Sequence, residues 1–353
     1  MFIVAADAVV NGEGSLAASG AAVDLLTAQN ARIVEFEIST STDGWQSELP
    51  ENRLRCACAP MIAISQGRQM MAAGEIDAIV IRGREHLKSD FEGRKAARNR
   101  LLQIYGEGKG AVLDGYESLA QAFLRHWNIS ADDFRRTSEI IFENHWRVWQ
   151  ERNPQAQRPA EAWFNPITPL FRGVDCANPS VDFDGCLVIV SDEFLATTDF
   201  GRTSYSEITG CDVQQQTEDG PEFVEQIVSY DHIRTSQENA CAQANIDFNK
   251  LFLENKALLD IYSCYSVVPM GYLLATGLVR DFGGIPDFAA RYPLTVTGGL
   301  NLARAPWNNT TMQSIATLFH DLKSPQTPDI AGIHSVGALG YLQGFLILQE
   351  KPA

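Results

Sequence analysis

Two cysteines separated by one residue are the first candidates for chemistry in this chain. Cys56 and Cys58 precede a segment, Met61 to Ala73, whose small and apolar residues predict a helix. A thiol at the N-terminus of a buried helix is a good nucleophile, because the helix dipole lowers its pKa. Cys58 is therefore a candidate nucleophile; the alternatives are two buried structural thiols or half of a metal site. No second cysteine pair has ligand spacing, so no metal is expected.

Two glycine-rich stretches could bring the backbone close to a ligand. One contains Gly298 and Gly299, at the end of a segment that reads as a strand, and the other contains Gly337 and Gly340 near the C-terminus. Glycine permits such an approach, either to a ligand or to a neighbouring strand. Both pairs are therefore candidate binding residues.

Paired asparagines follow the first glycine-rich stretch. Asn308 and Asn309 stand directly before Thr310, where the sequence predicts the start of a helix. Their amides either donate hydrogen bonds to a ligand or cap that helix. We keep Asn308 as a candidate site residue.

The elements that must position these residues alternate between strand and helix, which is typical of α/β layers. The apolar run Ile76 to Ile81 predicts a strand buried on both faces. Residues 114–150 predict an aromatic-rich helical insertion, and the polar segment Thr203 to Gly220 predicts a loop or an edge hairpin. The same order of strand and helix in both halves is what an old duplication would leave.

Composition excludes several classes of function. The chain has 353 residues, of which 45% are hydrophobic and 20% charged, as expected for a compact soluble protein. Its net charge of -16 argues against nucleic-acid binding, but leaves room for a local basic pocket. No leader and no membrane-spanning run is evident. Seven scattered cysteines suit reduced thiols, so the expected location is the cytoplasm.

Four segments, in the right order, resemble the thiolase superfamily, specifically the acetyl-CoA acetyltransferase branch near the sterol-carrier-protein thiolases. They are Gln66 to Leu87, Asp182 to Ser191, Ala240 to Tyr265 and Leu294 to Ala316. The resemblance implies a five-layer αβαβα sandwich of two similar halves, a homodimer, and an acyl-CoA ligand held near their junction. It also implies an N-terminal half over residues 1–115, an insertion and return to the core over 116–180, and a C-terminal half over 181–353.

This chain departs from the family at the positions that bear the family's thiol and imidazole groups. Counting back from Gly74 places the nucleophile at Ala57, so Cys58 fills the role only with a slip of one residue. The family's histidine before a proline is replaced by Ala305. Where relatives commonly have a histidine on the following helix, this chain has Gln313. The second family cysteine also lacks a counterpart, since Ser335 or Gly337 occupies its place.

Tyr262 stands at the family position that helps to build an oxyanion hole. Thiolase-like aldolases of steroid side-chain breakdown are similar here, since they also have a tyrosine. A phenol can donate a hydrogen bond to an oxyanion, or act as a general acid or base if its pKa is lowered; the alternative is a half-buried strand tyrosine. His334 lies in the glycine-rich stretch near the C-terminus. It is the only histidine near any of the family positions discussed here, and is the candidate base.

Three functions follow from the resemblance. The first is an enzyme that handles acyl-CoA thioesters by non-thiol chemistry, either aldolase-like or a degenerate acyltransfer, with no cofactor besides the CoA thioester itself. The second is a catalytically silent subunit or acyl-CoA-binding scaffold. The third is an acetyl-CoA acetyltransferase that uses Cys58. Relatives are often paired with a small zinc-ribbon and OB-fold protein, which is therefore a possible partner.

Overall fold

A computed structural model describes residues 1–38, 47–105, 110–201 and 204–352 of the chain. The strands in these ranges are β1 (Phe2–Val10), β2 (Glu13–Gly14), β3 (Ile33–Ile38), β4 (Arg53–Leu54), β5 (Ala78–His86), β6 (Asp182–Val190), β7 (Ser204–Gln215), β8 (Leu258–Asp260), β9 (Ile330–Gly337) and β10 (Leu342–Pro352). The α-helices are α1 (Ala17–Ala28), α2 (Ala59–Ala72), α3 (Lys95–Leu101), α4 (Val112–Trp127), α5 (Ala131–Arg152), α6 (Asp192–Thr197), α7 (Val224–Ile227), α8 (Asp231–Ala244), α9 (Phe248–Leu253), α10 (Val267–Ala275), α11 (Ile285–Arg291), α12 (Gly299–Leu302) and α13 (Thr310–Asp321).

The strands pair in two equivalent series. In the first, β3 is parallel to β5, β5 is antiparallel to β6, and β6 is antiparallel to β1. In the second, β8 is parallel to β9, β9 is antiparallel to β10, and β10 is antiparallel to β7. The two series meet where β1 pairs with β7. The repeated order and sense of pairing make two similar halves.

Helices α2 and α13 occupy equivalent places in the two halves. Helix α2 directly precedes β5, which is parallel to β3, and α13 directly precedes β9, which is parallel to β8. Helix α2 contacts β3 and β5 on one side and β7 and β10 on the other, and α13 contacts β1 and β6 as well as β9. Outside them, α1 packs on β1 and β6, and α8 packs on β7 and β10. The layers therefore run α, β, α, β, α, and the predicted fold class is confirmed.

Two of the predicted elements are wrong. Residues 204–215, expected in a loop or edge hairpin, form the long strand β7, which is an interior strand because it pairs with β1 at one edge and with β10 at the other. The segment after Pro293 was expected to be a strand, but it pairs with none. The buried carboxylate of Asp260 holds it instead, accepting from the Thr295 hydroxyl at 2.7 Å and the Val296 N–H at 2.9 Å.

The predicted helical insertion is two helices, α4 and α5. They separate at Asn128, which has a left-handed backbone, and α5 restarts at Ser130, whose hydroxyl accepts from the Asp133 N–H at 3.0 Å. Phe123 and Phe134 lie in the main core. The predicted boundaries at residues 115 and 180 stay a prediction, although strand pairing places β6 between β5 and β1, in the first series.

Candidate functional site

Four loops from the two halves meet around one cavity of about 530 Å³. Ala57 lies just before α2, Tyr262 follows β8, Ala305 and Asn308 precede α13, and Val336 lies near the end of β9. All of these residues line the cavity. The cavity therefore brings together the neighbourhoods of the four family positions discussed above: Ala57, Tyr262, Ala305, and Ser335 or Gly337, which flank Val336.

The cavity has an aromatic, buried floor. The rings of Tyr116 and Tyr265 stack with their centroids 4.0 Å apart, and both side chains line it. Cys264 and Cys176 line it as well, but burial raises the pKa of both thiols, that of Cys264 to about 12. These thiols are protonated at neutral pH, so the floor is uncharged and suits an apolar group.

The mouth of the cavity is positively charged. Lys95 and Arg98 of α3 line it, together with Ile167, which is 50% exposed. Among the described residues that line the cavity there is no aspartate or glutamate, although the chain has 44 acidic and 28 basic side chains. None of the predicted site residues belongs to this mouth, whose signal in the sequence is the four cations within Arg94 to Arg100. An anionic group at the mouth would be stabilised there.

The backbone around the cavity is strained. Besides glycine and asparagine, the described residues with left-handed backbone are Cys56, Tyr230, Arg304, Trp307 and Ala338. All but Tyr230 line the cavity or adjoin a lining residue. Each such conformation costs about 1–3 kcal/mol, and such strain clusters at ligand and active sites. The loops around the cavity thus keep a demanding backbone geometry.

We expect Ala338→Gly to stabilise the protein by about 1 kcal/mol, because glycine adopts the φ of 44° at this position without a Cβ clash. Thermal unfolding measures the effect. Ala305→Gly is the matched control, since Ala305 also lines the cavity but is not left-handed, and there the substitution should destabilise. Equal shifts of the unfolding temperature in both variants would contradict backbone strain at Ala338.

Tyr262 reaches the cavity as a neutral phenol. Burial raises its pKa well above the ordinary value, the thiols of Cys264 and Cys58 add to the rise, and the Thr310 hydroxyl opposes it. A phenol that keeps its proton donates hydrogen bonds and is a poor base. Of the two roles proposed for Tyr262, its surroundings favour the donor to an oxyanion.

Asn308 lies at the cavity wall and is 1% exposed. Its side-chain oxygen accepts from the Cys56 N–H at 3.1 Å, so the amide joins the segment before α13 to the segment before α2. The N-cap residue of α13 is Asn309 and not Asn308. This placement suits the binding role of Asn308 better than the capping role.

Cys58 is fully buried at the start of α2 and does not line the cavity. Burial raises the pKa of its thiol well above the ordinary value, and the neighbouring Cys56 adds to the rise. Its Sγ lies 3.8 Å from the Leu342 carbonyl oxygen. A thiol with a raised pKa is protonated at neutral pH, so the position gives no support to Cys58 as the nucleophile.

His334 faces the core of the C-terminal half. Its ring stacks on Tyr272 with the centroids 4.6 Å apart, and its Nε2 lies 2.8 Å from the Gln343 Oε1. Burial lowers the pKa of His334 to about 3, and the residue does not line the cavity. The role of catalytic base expected for His334 is therefore not supported by its position.

The glycines proposed to bind ligand serve packing and turns. A Cβ on Gly298 would lie 2.7 Å from the Trp149 Cβ, and one on Gly299 would lie 2.6 Å from the His145 Nδ1, so both approach α5. Gly337 lies between cavity residues but faces Leu342, and Gly340 occupies a left-handed turn. None of the four lines the cavity.

Gly298→Ala should lower the free energy of unfolding by about 3 kcal/mol, since the new Cβ meets the α5 backbone and φ is 95°. Chemical denaturation measures this. Gly283→Ala, whose Cβ would meet its nearest neighbour at 3.4 Å, should be nearly neutral. A stable Gly298→Ala protein that has lost ligand binding would restore the binding role.

Comparisons with known proteins support the fold. No protein-family model and no curated protein matches the chain. Its structure is similar to a monomeric SCP2-thiolase-like protein type 1 from Mycobacterium smegmatis, at 18% identity and a TM-score of 0.68, over 100% of this chain and 77% of that one. It is also similar to the Ltp2-ChsH2(DUF35) aldolase, at 16% identity and a TM-score of 0.64, over 99% and 97%. A third match is Acat5 thiolase from Ascaris suum in complex with coenzyme A, at 13% identity and a TM-score of 0.60, over 99% of both.

These similarities show that the chain has a thiolase-like fold, and at such identities they show the fold alone. None of the helices in the described ranges has the length and apolar character that a bilayer crossing requires. Within the same ranges, no three histidine, cysteine or acidic side chains lie close enough together to hold a metal ion. The Cys56 and Cys58 pair therefore gains no further ligand from the described residues.

Proposed function

We propose that this protein binds acyl-CoA thioesters and cleaves β-hydroxyacyl-CoA by retro-aldol chemistry without a catalytic thiol. The observation that carries the proposal is the cavity in which Ala57 and Ala305 stand at the nucleophile and histidine positions while Tyr262 remains. Alanine can neither attack a thioester nor activate a thiol. A phenol can still stabilise negative charge on the thioester oxygen.

The reaction that this cavity supports breaks the Cα–Cβ bond of the substrate. The β-hydroxyl gives its proton to a solvent water molecule and becomes a carbonyl, while the electrons of the broken Cα–Cβ bond pass to the thioester, which becomes an enolate. Hydrogen bonds from the Tyr262 hydroxyl and the Asn308 amide nitrogen would stabilise the enolate oxygen. A proton then returns to Cα, which gives a shortened acyl-CoA and an aldehyde or ketone.

The charge of the mouth supports CoA as the carrier of the acyl group. Lys95 and Arg98 would hold phosphate groups, while the uncharged floor holds the acyl end. Each reversal, Lys95→Glu or Arg98→Glu, should weaken CoA binding about tenfold or more, and more so at low salt. Calorimetric titration with CoA measures the loss.

Arg100→Glu is the matched control, because Arg100 belongs to the same helix but does not line the cavity. It should bind CoA within about twofold of the unaltered protein. An equal loss in all three variants would mean a general charge effect, and no CoA binding by the unaltered protein would refute the proposal.

A silent acyl-CoA-binding subunit is the second candidate, favoured by the same two alanines at catalytic positions. It predicts CoA binding without turnover of any β-hydroxyacyl-CoA. A homodimer and a zinc-ribbon and OB-fold partner remain proposals for either function. Light scattering of the purified protein, alone and after co-expression with such a partner, tests both.

A further inference from the structure

Glu85 is a carboxylate in the interior of the molecule, with 0% of its surface exposed. It lies near the end of β5, and its Oε2 accepts two hydrogen bonds from one residue. The Asn309 backbone N–H donates at 3.2 Å and the Asn309 side-chain amide donates at 3.1 Å. A carboxylate is costly to bury and persists where such donors are fixed against it.

The same strand leaves room for the Asn309 side chain. Gly83 lies two residues before Glu85 on β5, and a Cβ at Gly83 would overlap the Asn309 amide. Asn309 is itself 0% exposed. Glu85 and Gly83 therefore fix both the backbone and the side chain of Asn309 against the strand.

Asn309 transmits this constraint to the cavity. Its neighbour Asn308 lines the cavity and accepts from the Cys56 N–H, and Cys56 in turn precedes Ala57 in the cavity wall. Cys56 has a strained φ of 87°, which an ordinary loop would relax. The contacts thus run from Glu85 through Asn309 and Asn308 to the segment before α2.

We propose that Glu85 is a positioning residue, which sets the Asn308 amide at the cavity wall without touching the ligand. The catalytic consequence rests on the proposed function, because Asn308 is the second donor to the thioester oxygen. The structural consequence does not, since the contact between Asn308 and Cys56 exists without ligand.

Two variants remove the constraint in different ways. Glu85→Gln exchanges one carboxyl oxygen for an amide nitrogen with little change of volume, and Asn309→Ala removes the side-chain donor but keeps the backbone donor. Each should reduce kcat for β-hydroxyacyl-CoA cleavage at least tenfold and leave KM within about twofold. Glu35→Gln, on the neighbouring strand β3 and exposed, should change neither value.

Crystal structures of the same variants test the positioning directly. The Asn308 side-chain oxygen should move out of hydrogen-bond range of the Cys56 N–H in both. The role of Glu85 would be overturned if the contact between Asn308 and Cys56 or the value of kcat were unchanged. It would also be overturned if KM changed by as large a factor as kcat. If the unaltered protein shows no turnover, the proposed function fails, and the crystal structures alone then decide for or against Glu85. If one variant does not fold, the other provides the same readouts.

Discussion

Tyr262→Phe is expected to reduce retro-aldol cleavage of β-hydroxyacyl-CoA by about a hundredfold or more while CoA still binds. The substitution removes only the phenolic hydroxyl, and one oxyanion donor is worth about 10²–10³ in kcat. Since burial raises the pKa of Tyr262, we also expect no loss of activity from ionisation of this phenol near neutral pH. Steady-state kinetics and CoA titration of the variant measure the two quantities.

Tyr265→Phe is the matched control for this substitution. Tyr265 lines the same cavity, and its ring stacks on Tyr116, which phenylalanine preserves. Its activity should fall much less than that of Tyr262→Phe. Full activity in Tyr262→Phe would exclude the phenol as the donor, and equal losses in both variants would point to a general effect on the cavity.

Acidification is expected to unfold the protein between about pH 6 and pH 4. Burial lowers the pKa of His145 and His232 to about 4, and that of His334 to about 3, from an ordinary value of 6.5. The unfolded chain therefore binds up to three more protons below pH 6.5, so stability falls as pH falls and continues to fall down to the folded pKa values. Each histidine lowers the free energy of unfolding by roughly 2–3 kcal/mol by pH 4.5. Because the free energy of unfolding of a protein is roughly 5–15 kcal/mol in total, three such losses are enough to unfold it.

Each of these histidines also has one ring nitrogen that is buried without a hydrogen-bond partner among the described residues. His334→Gln should reduce the pH dependence of the unfolding free energy by about one proton, whereas His126→Gln, at an exposed position, should not. Denaturation at several pH values measures this slope. If the unfolding free energy changed equally with pH below 6.5 in the His334→Gln and His126→Gln variants, the burial of a neutral His334 would be contradicted.

The fold could be predicted because its signals are local. The apolar run before Ile81 and the small residues of α2 already indicate a buried strand and a helix close to it, and the repeated order indicates two halves. The prediction failed at β7, because its polar residues resemble a loop, whereas the helices that pack on it, α2 and α8, are distant in sequence or follow later in the chain. It failed again after Pro293, where the side chain of Asp260 replaces strand pairing.

The site could be predicted only in part. Ala57, Tyr262, Ala305 and Asn308 were placed by their order along the chain, and all of them line the cavity. His334 and Cys58 were chosen for their chemical type, but burial depends on residues far away in sequence, such as Tyr272 and Leu342. The cations of α3 were missed because their relation to the cavity exists only in the folded chain.

The central claim is that this cavity binds acyl-CoA but forms no thioester with the protein. Incubation with acetyl-CoA, followed by intact-mass analysis and calorimetric titration of the same sample, tests it most directly. We expect saturable binding of CoA, with no acetyl group on Cys56, Cys58 or any other cysteine after peptide mapping. An acetylated Cys58, or the absence of any CoA binding, would contradict it.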